Sequence, residues 1–321
     1  RFFSVGEFAF SLVVRKYLSM LMRLYKMSLE YGECCVGMNP HGPEWEEWMQ
    51  WHTEYSEEYI FDGDYSKWDL RQSSATNGAV AQVFLELSRM CPNITDRDRL
   101  MIRGIFTEIM YPVVMANGDM IQAFGSTSSG LPGTVEINCC GNSVNLRCSA
   151  KKLNRGLKTF RDAAKLGTYG DDCRASVHKN HLYFNAPAVS RVLAEWGYVF
   201  TPADKSDTFS AKWNPQGDFI KMVSGTVEGT KIRVGAIAMD SILKSLMVGT
   251  KSSLSAEAQM ACNFDGALRS SFAHGRVKYE EMREKLKRIA EKQGILDWVP
   301  RLDFTYDDHR DEWMERYLPE K

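Results

Sequence analysis

A chain of 321 residues is too long for one small core, so two or more subdomains, or one large α/β unit with an appendage, are expected. Its 44% apolar and 25% charged residues are the balance of an ordinary soluble globular protein. A net charge of −1 excludes a chain that is basic all over, so any site for a polyanion must be a local groove.

From about residue 6 to 30, apolar side chains recur at helical spacing (Phe10, Val14, Leu18, Leu21, Leu24), and Gly32 is placed to stop the segment. The first residues are too interrupted for a signal peptide, and without an initiator Met the chain is expected to begin mid-protein. No apolar run approaches the ~18 residues of a membrane span. Eight cysteines, at 34, 35, 91, 139, 140, 148, 173 and 262, form no Cys-x-x-Cys pair. Reduced thiols in a cytoplasmic setting fit this usage better than zinc or a disulfide framework.

"GMNPHGPEWEEWMQW" (37–51) reads as a turn into a Trp-rich segment, whose Trp45, Trp48 and Trp51 suit core packing more than base stacking. "EEYIFDGDYS" reads as a strand that is apolar at its start and acidic at its end. Alternation puts Asp62 and Asp64 on one face of it. A helix carries Ala79, Val80, Val83, Phe84 and Leu87, a second spans about 95–110, and Pro112, Gly118 and Gly125 mark irregular structure. "GSTSSGLPGT" (125–134), dense in Gly and Ser, opens onto a helix through Val135, Ile137, Val144 and Leu146. There Thr134 and Asn138 lie one helical turn apart and share a face.

Strand, turn and strand follow around Gly170-Asp171, then a helix over 187–196 with Asn185 as cap and Gly197 as stop. "YVFTPADKS" is a strand leaving into a loop, short strand-like pieces fill 218–250, and the chain beyond Ser253 is helical, with a charged amphipathic helix over 277–293. The order implies an α+β core followed by a helical subdomain.

The turn in "TYGDDCRAS" sets Asp171 beside Asp172. Gly-Asp is common turn chemistry, so alone it reads as a solvated hairpin tip. The other reading is a divalent cation. If the strands ending in Asp64 and Asp171 were neighbours in one sheet, their carboxylates would repel without one. Mg²⁺, which takes carboxylate oxygens and keeps several waters, suits that pattern.

"DYSKWD", "SGLPGTVEIN", "YGDD" and "TPADKS" stand in the order and near the separations of the palm motifs of viral RNA-dependent RNA polymerases. The chain resembles that family, most of all the picornavirus-like positive-strand RNA viruses, and "CVGMNP" and the run from "DFIKM" extend the likeness over essentially its whole length. The resemblance implies a right-hand polymerase: an antiparallel palm sheet backed by helices, a helical thumb and partial fingers. The palm would cover 1–228, with finger remnants at about 1–17 and 111–125, and the thumb 229–321.

The implied activity is template-directed RNA synthesis in viral genome replication. Nucleotides would pass from NTPs to an RNA 3′-hydroxyl by a two-metal mechanism with Mg²⁺, for which Mn²⁺ could substitute. On the resemblance Asp64 and Asp171 are metal ligands, Asp172 assists and Asp62 stays outside the metal shell. Ser129 and Gly130 would meet template or incoming base on a mobile loop. Asp69, Thr134 and Asn138 would read the ribose 2′-hydroxyl. Lys205 would protonate pyrophosphate, Lys221 would contact the nascent strand, and Arg1 matches the last basic residue of a Lys-x-Arg nucleotide contact. "WNPQGDFIKM" departs from the family in lacking the second basic residue of Phe-Leu-Lys-Arg. Template and nascent RNA, NTPs and other viral replication proteins are the implied partners, at replication complexes in host cytoplasm. The rivals are a weak or inactive RNA-binding or assembly fragment and, against the Asp69–Asn138 pairing, a reverse transcriptase.

Overall fold

The computed structural model describes residues 6–27, 29–204, 206–249 and 251–319. The amphipathic start forms α1 (Phe8–Lys26), and the helical turn α2 (Leu29–Gly32) follows, so the expected helix is broken short of Gly32. Next come α3 (Pro43–Thr53), β1 (Ile60–Tyr65), the short α4 (Trp68–Arg71), α5 (Ser74–Arg89) and α6 (Asp96–Met110). Ser73 caps α5 by accepting from the Thr76 amide at 3.1 Å, and Thr95 and Asp98 form a reciprocal capping box on α6.

The expected irregular stretch holds instead a hairpin, β2 (Val113–Ala116) with β3 (Asp119–Gln122). Its cause is Asn117-Gly118, both with positive φ (53° and 95°), the backbone a two-residue hairpin turn requires. α7 (Thr134–Leu153), the hairpin β4 (Ala164–Tyr169) and β5 (Asp172–Val177), α8 (Ala186–Glu195) and the short β6 (Phe200–Thr201) follow. Asn185 caps α8 as expected, accepting from the Ala188 amide at 3.2 Å. The last third forms the hairpin β7 (Met222–Thr226) with β8 (Arg233–Ile237), then α9 (Met239–Leu246), α10 (Ala256–Ser271), α11 (Arg276–Gln293) and α12 (Tyr306–Tyr317).

By internal contact the chain divides into two compact units, Arg1–Gly37 with Trp51–Phe219, and Met38–Gln50 with Ile220–Lys321. The N-terminal unit holds a sheet in the order β4-β5-β1-β6, antiparallel throughout. Phe61, Tyr65, Trp68, Leu146, Leu166, Phe184, Val189 and Phe200 make the core on one face of this sheet. A second core joins α1, α5 and α6 through Val14, Leu18, Val80, Phe84, Ile102 and Phe106, and α7 contributes Ile137 and Cys140. α7 therefore packs on both sides, which is why its buried residues run nearly round the helix instead of forming one stripe.

The C-terminal unit packs α9–α12 and β7–β8 around Val234, Leu268, Phe272, Tyr279, Leu286, Tyr306 and Trp313. Segment 38–50 belongs to it through polar ties: Glu46 pairs with Arg233 at 2.8 Å, Trp45 Nε1 donates to Ser224 Oγ at 3.1 Å, and Trp313 Nε1 donates to the His41 carbonyl at 2.7 Å. Trp45 and Trp48 are both buried, so they pack a core and offer no face to a base.

Candidate active site

Strand register brings the acids to one end of the sheet. In the β4–β5 hairpin Tyr169 faces Asp172, which leaves Gly170 and Asp171 as the turn. β1 lies beside β5 with Asp62 opposite Arg174 and Gly63 opposite Cys173, so the next step along the strands sets Asp64 across from Asp172. Asp64 is also paired with Thr201 of β6, and its Oδ1 accepts from the Tyr65 amide at 2.8 Å. Gly63 is required where β6 crosses: a Cβ there would lie 2.0 Å from the Phe200 ring.

Asp64, Asp171 and Asp172 are all half-buried, at an end of the sheet that water still reaches. Cys173, walled in beneath them, registers their charge. Burial first, and then the charges of Asp172, Asp62, Asp64 and Asp171, push its thiol well above the ordinary range.

Asp62 has a different setting. It is buried, which pushes its carboxyl up, and it accepts from Asn214 Nδ2 at 3.2 Å, with the Arg174 guanidinium as its nearby counter-charge. Arg174 in turn donates to the carbonyls of Pro215, at 2.8 Å, and Gly217. Asp62 and Arg174 thus fasten segment 214–217 to the sheet. Among the described residues no three His, Cys, Asp or Glu side chains are gathered as a ready-made metal cluster. The donor set at the sheet end is nonetheless all carboxylate oxygen and partly exposed, which fits a hard divalent cation and not a soft one.

The Gly-Ser loop is tied down at its stem. The Ser126 amide donates to the Gln72 carbonyl at 2.7 Å and the Thr127 amide to the Asp69 carbonyl at 2.9 Å. The Thr127 hydroxyl bonds Gln72 Oε1, and Asn77 Nδ2 donates to the Ser126 carbonyl at 3.1 Å. Ser129 and Gly130 are exposed at the tip. The loop re-enters α7 at Gly133, where φ is +78° and an added Cβ would fall 1.9 Å from the Met22 side chain. Thr134 turns its hydroxyl back to the carbonyls of Leu131 (2.7 Å) and Ser128 (2.8 Å), closing the loop on the helix start. Half-buried Asn138 follows one turn on, its Oδ1 without a hydrogen-bond partner among the described residues.

Arg1 and Lys205 lie outside the described residues. Lys221 is exposed, has a φ of 58° and directly precedes β7 in the C-terminal unit. Residues that the sequence reading passed over hold the turn itself. Cys139 Sγ accepts from the Gly170 amide at 3.0 Å, and Asn142 Nδ2 donates to the Asp171 carbonyl at 2.9 Å. The strand leading into the turn is held at Thr168, whose amide donates to the Glu33 carbonyl at 2.7 Å and whose carbonyl accepts from the Cys35 amide at 2.9 Å. The signal for Asn142 lay in the i, i+4, i+8 series Thr134, Asn138, Asn142 along one helix face.

Comparison with known proteins bears on this geometry. A family model described as viral RNA-dependent RNA polymerase matches residues 1–225. The RNA1 polyprotein of Satsuma dwarf virus is 24% identical over 306 residues, covering 92% of this chain and 14% of that polyprotein. The replicase polyprotein of Cricket paralysis virus is 24% identical over 326 residues, 94% of this chain and 18% of that polyprotein. The chain therefore spans less than a fifth of these curated relatives. A solved Sicinivirus 3Dpol RNA-dependent RNA polymerase has the same fold, with a TM-score of 0.72 at 16% identity over 94% of this chain and 59% of that one. The antiparallel sheet backed by helices that the motifs lead one to expect is the fold observed, and the chain belongs to the viral RNA-dependent RNA polymerase family.

Proposed function

We propose that this chain is the palm and thumb of a polymerase that copies an RNA template during viral genome replication. It would transfer nucleotides from NTPs to the 3′-hydroxyl of a growing RNA strand and release pyrophosphate. The observation that supports this best is the β1–β5 register, Asp62 opposite Arg174 and Gly63 opposite Cys173, which carries Asp64 toward the Gly170-Asp171 turn. The palm, with remnants of the fingers at about 1–17 and 111–125, would cover 1–228, and the thumb 229–321.

Asp64 and Asp171, with Asp172 assisting, would hold Mg²⁺ (or Mn²⁺), which supplies activation of the 3′-hydroxyl and neutralisation of the triphosphate. The chain's own part is positioning. The hairpin and β1 present their carboxylates from rigid strands, so little reorganisation is needed as charge develops. Asp69, half-buried, would accept a hydrogen bond from the ribose 2′-hydroxyl, with Asn138 orienting the carboxylate from α7. Thr134 would keep the helix start in register, and exposed Ser129 and Gly130 would meet template or incoming base. Lys205 would serve as general acid toward pyrophosphate, Arg1 as a nucleotide contact and Lys221 as a contact to the nascent strand. The names of the relatives, as polyproteins and a replicase, support other viral replication proteins as partners, and the chain would act at replication complexes in host cytoplasm. No described helix is long and apolar enough to cross a membrane.

The test is primer extension on a homopolymer RNA template with Mg²⁺. Asp171→Asn should lower extension by at least on the order of 10²–10³-fold, the cost of removing one preorganised electrostatic partner, while RNA binding stays near wild type. RNA binding by a wild-type chain that does not extend the primer would instead mark a binding or assembly fragment.

A further inference from the structure

α7 reaches the catalytic turn at a second place that no motif covers. Asn142 is wholly buried and sits two turns beyond Thr134 and one beyond Asn138. Its Nδ2 lies 3.3 Å from the Gly170 carbonyl, 2.9 Å from that of Asp171 and 3.4 Å from that of Asp172. Its Oδ1 is buried without a partner among the described residues. That orientation of the amide is the only reasonable one, because a flip would set oxygen against three carbonyl oxygens. Three consecutive carbonyls turned toward one buried amide mean that the turn backbone is shaped around this side chain. Cys139, one helical turn earlier, holds the Gly170 amide at 3.0 Å, so α7 grips the turn by both a donor and an acceptor.

From these contacts we infer that Asn142 is the positioning residue of the Asp171–Asp172 turn. It fixes the peptide planes on either side of Asp171 and thereby sets where the two carboxylates point. Because Asn138 and Asn142 share a face of one rigid helix, the element proposed to read the sugar is also the element that aims the acids. Asn142 touches neither substrate nor metal in this account and acts only through the turn. The inference rests on reading Asp171 and Asp172 as acids of the reaction, and the geometry of the turn is testable apart from that reading.

The test compares wild type with Asn142→Leu, which keeps the branching but is bulkier and removes the donor, and Asn142→Asp, which keeps the shape and puts an acceptor against the carbonyls. Three readouts are needed: hydrogen exchange of the peptide covering 168–174, the dissociation constant for Mn²⁺ alone by electron paramagnetic resonance, and primer extension. In folded variants the turn amides should exchange about tenfold faster while α5 and α6 are unchanged. Mn²⁺ binding should weaken severalfold, and kcat should fall by about 10–100-fold with the RNA dissociation constant unchanged. If Asn142→Leu fails to fold, Asn142→Asp carries the test. Wild-type exchange in the turn and wild-type Mn²⁺ affinity in a folded variant overturn the inference. If the wild-type chain does not extend a primer while the variants still show faster turn exchange and weaker Mn²⁺ binding than wild type, the role in the turn is supported and the polymerase reading alone is refuted.

Discussion

Two helices of similar length have opposite economies of burial. α11 buries Tyr279, Met282, Leu286 and Ala290 along one stripe, and its other faces carry ion pairs such as Arg283 with Glu280 at 2.7 Å. α7 buries Asn142, Ser143, Asn145 and Ser149 together with Ile137, Cys140 and Leu146. A stripe of apolar residues holds a helix in place and asks little of neighbouring backbone. Buried amides and hydroxyls are costly unless each meets a partner of fixed direction, so they persist where backbone must be placed accurately. On α7 those partners include the Asp171 turn, met by Asn142, the Glu33 carboxylate, met by Ser143 at 2.8 Å and by Arg147, and the Thr76 hydroxyl, which donates to Asn145 Oδ1 at 3.0 Å, while Ser149 turns back to the Asn145 carbonyl at 2.8 Å. Conventional packing marks the helix that supports; polar burial marks the helix that aims.

The contrast can be broken or sharpened by substitution on each side. The largest effect on stability is expected from Leu286→Ala, which empties a fully packed site on α11 and should cost about 2–5 kcal/mol. Chemical denaturation would check it, and a loss below 1 kcal/mol would mean that the stripe is not what holds this helix. Asn138→Asp on α7 should act on chemistry instead. Two carboxylates set against each other beside the sugar would raise the use of deoxynucleotides relative to ribonucleotides by about tenfold, the equivalent of one hydrogen bond. Matched incorporation efficiencies measure that ratio, and an unmoved ratio would remove Asp69 and Asn138 from the sugar site and reopen the reverse-transcriptase reading. The smallest effect belongs to Lys287→Ala on α11. Its partner Asp303 lies 3.2 Å away and is largely exposed, so the loss should stay within about 1 kcal/mol. A larger loss would show that the solvated face also holds the helix.

Much of the frame was legible because its signals are local. Ser73, Thr95 and Asn185 stand where helices begin, and the Asp62–Asp64 alternation announced a strand with an acidic end. The β2–β3 hairpin was missed although Asn117-Gly118 is a strong turn signal, since Pro112 and Gly125 on either side suggested a loop. Of the apolar positions read on α7, Ile137 and Leu146 are fully buried but Val135 and Val144 only half-buried, while polar Asn142 and Asn145 lie in the interior. Periodicity assumes that apolar side chains go inward, and a helix with neighbours on both sides does not obey it.

By itself the sequence determined which residue types could do the chemistry: acids at strand ends, a Gly-Ser loop ahead of a helix, and motifs in the order of one polymerase family. These follow from backbone preference and side-chain chemistry, which act over a few residues. Only the tertiary structure decided that β1 lies beside β5 in a register that runs Asp64 toward the Asp171 turn, that Asp62 turns instead to Asn214, that segment 38–50 joins the C-terminal unit, and that Asn142 holds the turn. Each depends on strand register or on contacts between residues far apart in the chain. A shift of one residue in β1 would send Asp64 to the opposite face while leaving every local signal unchanged.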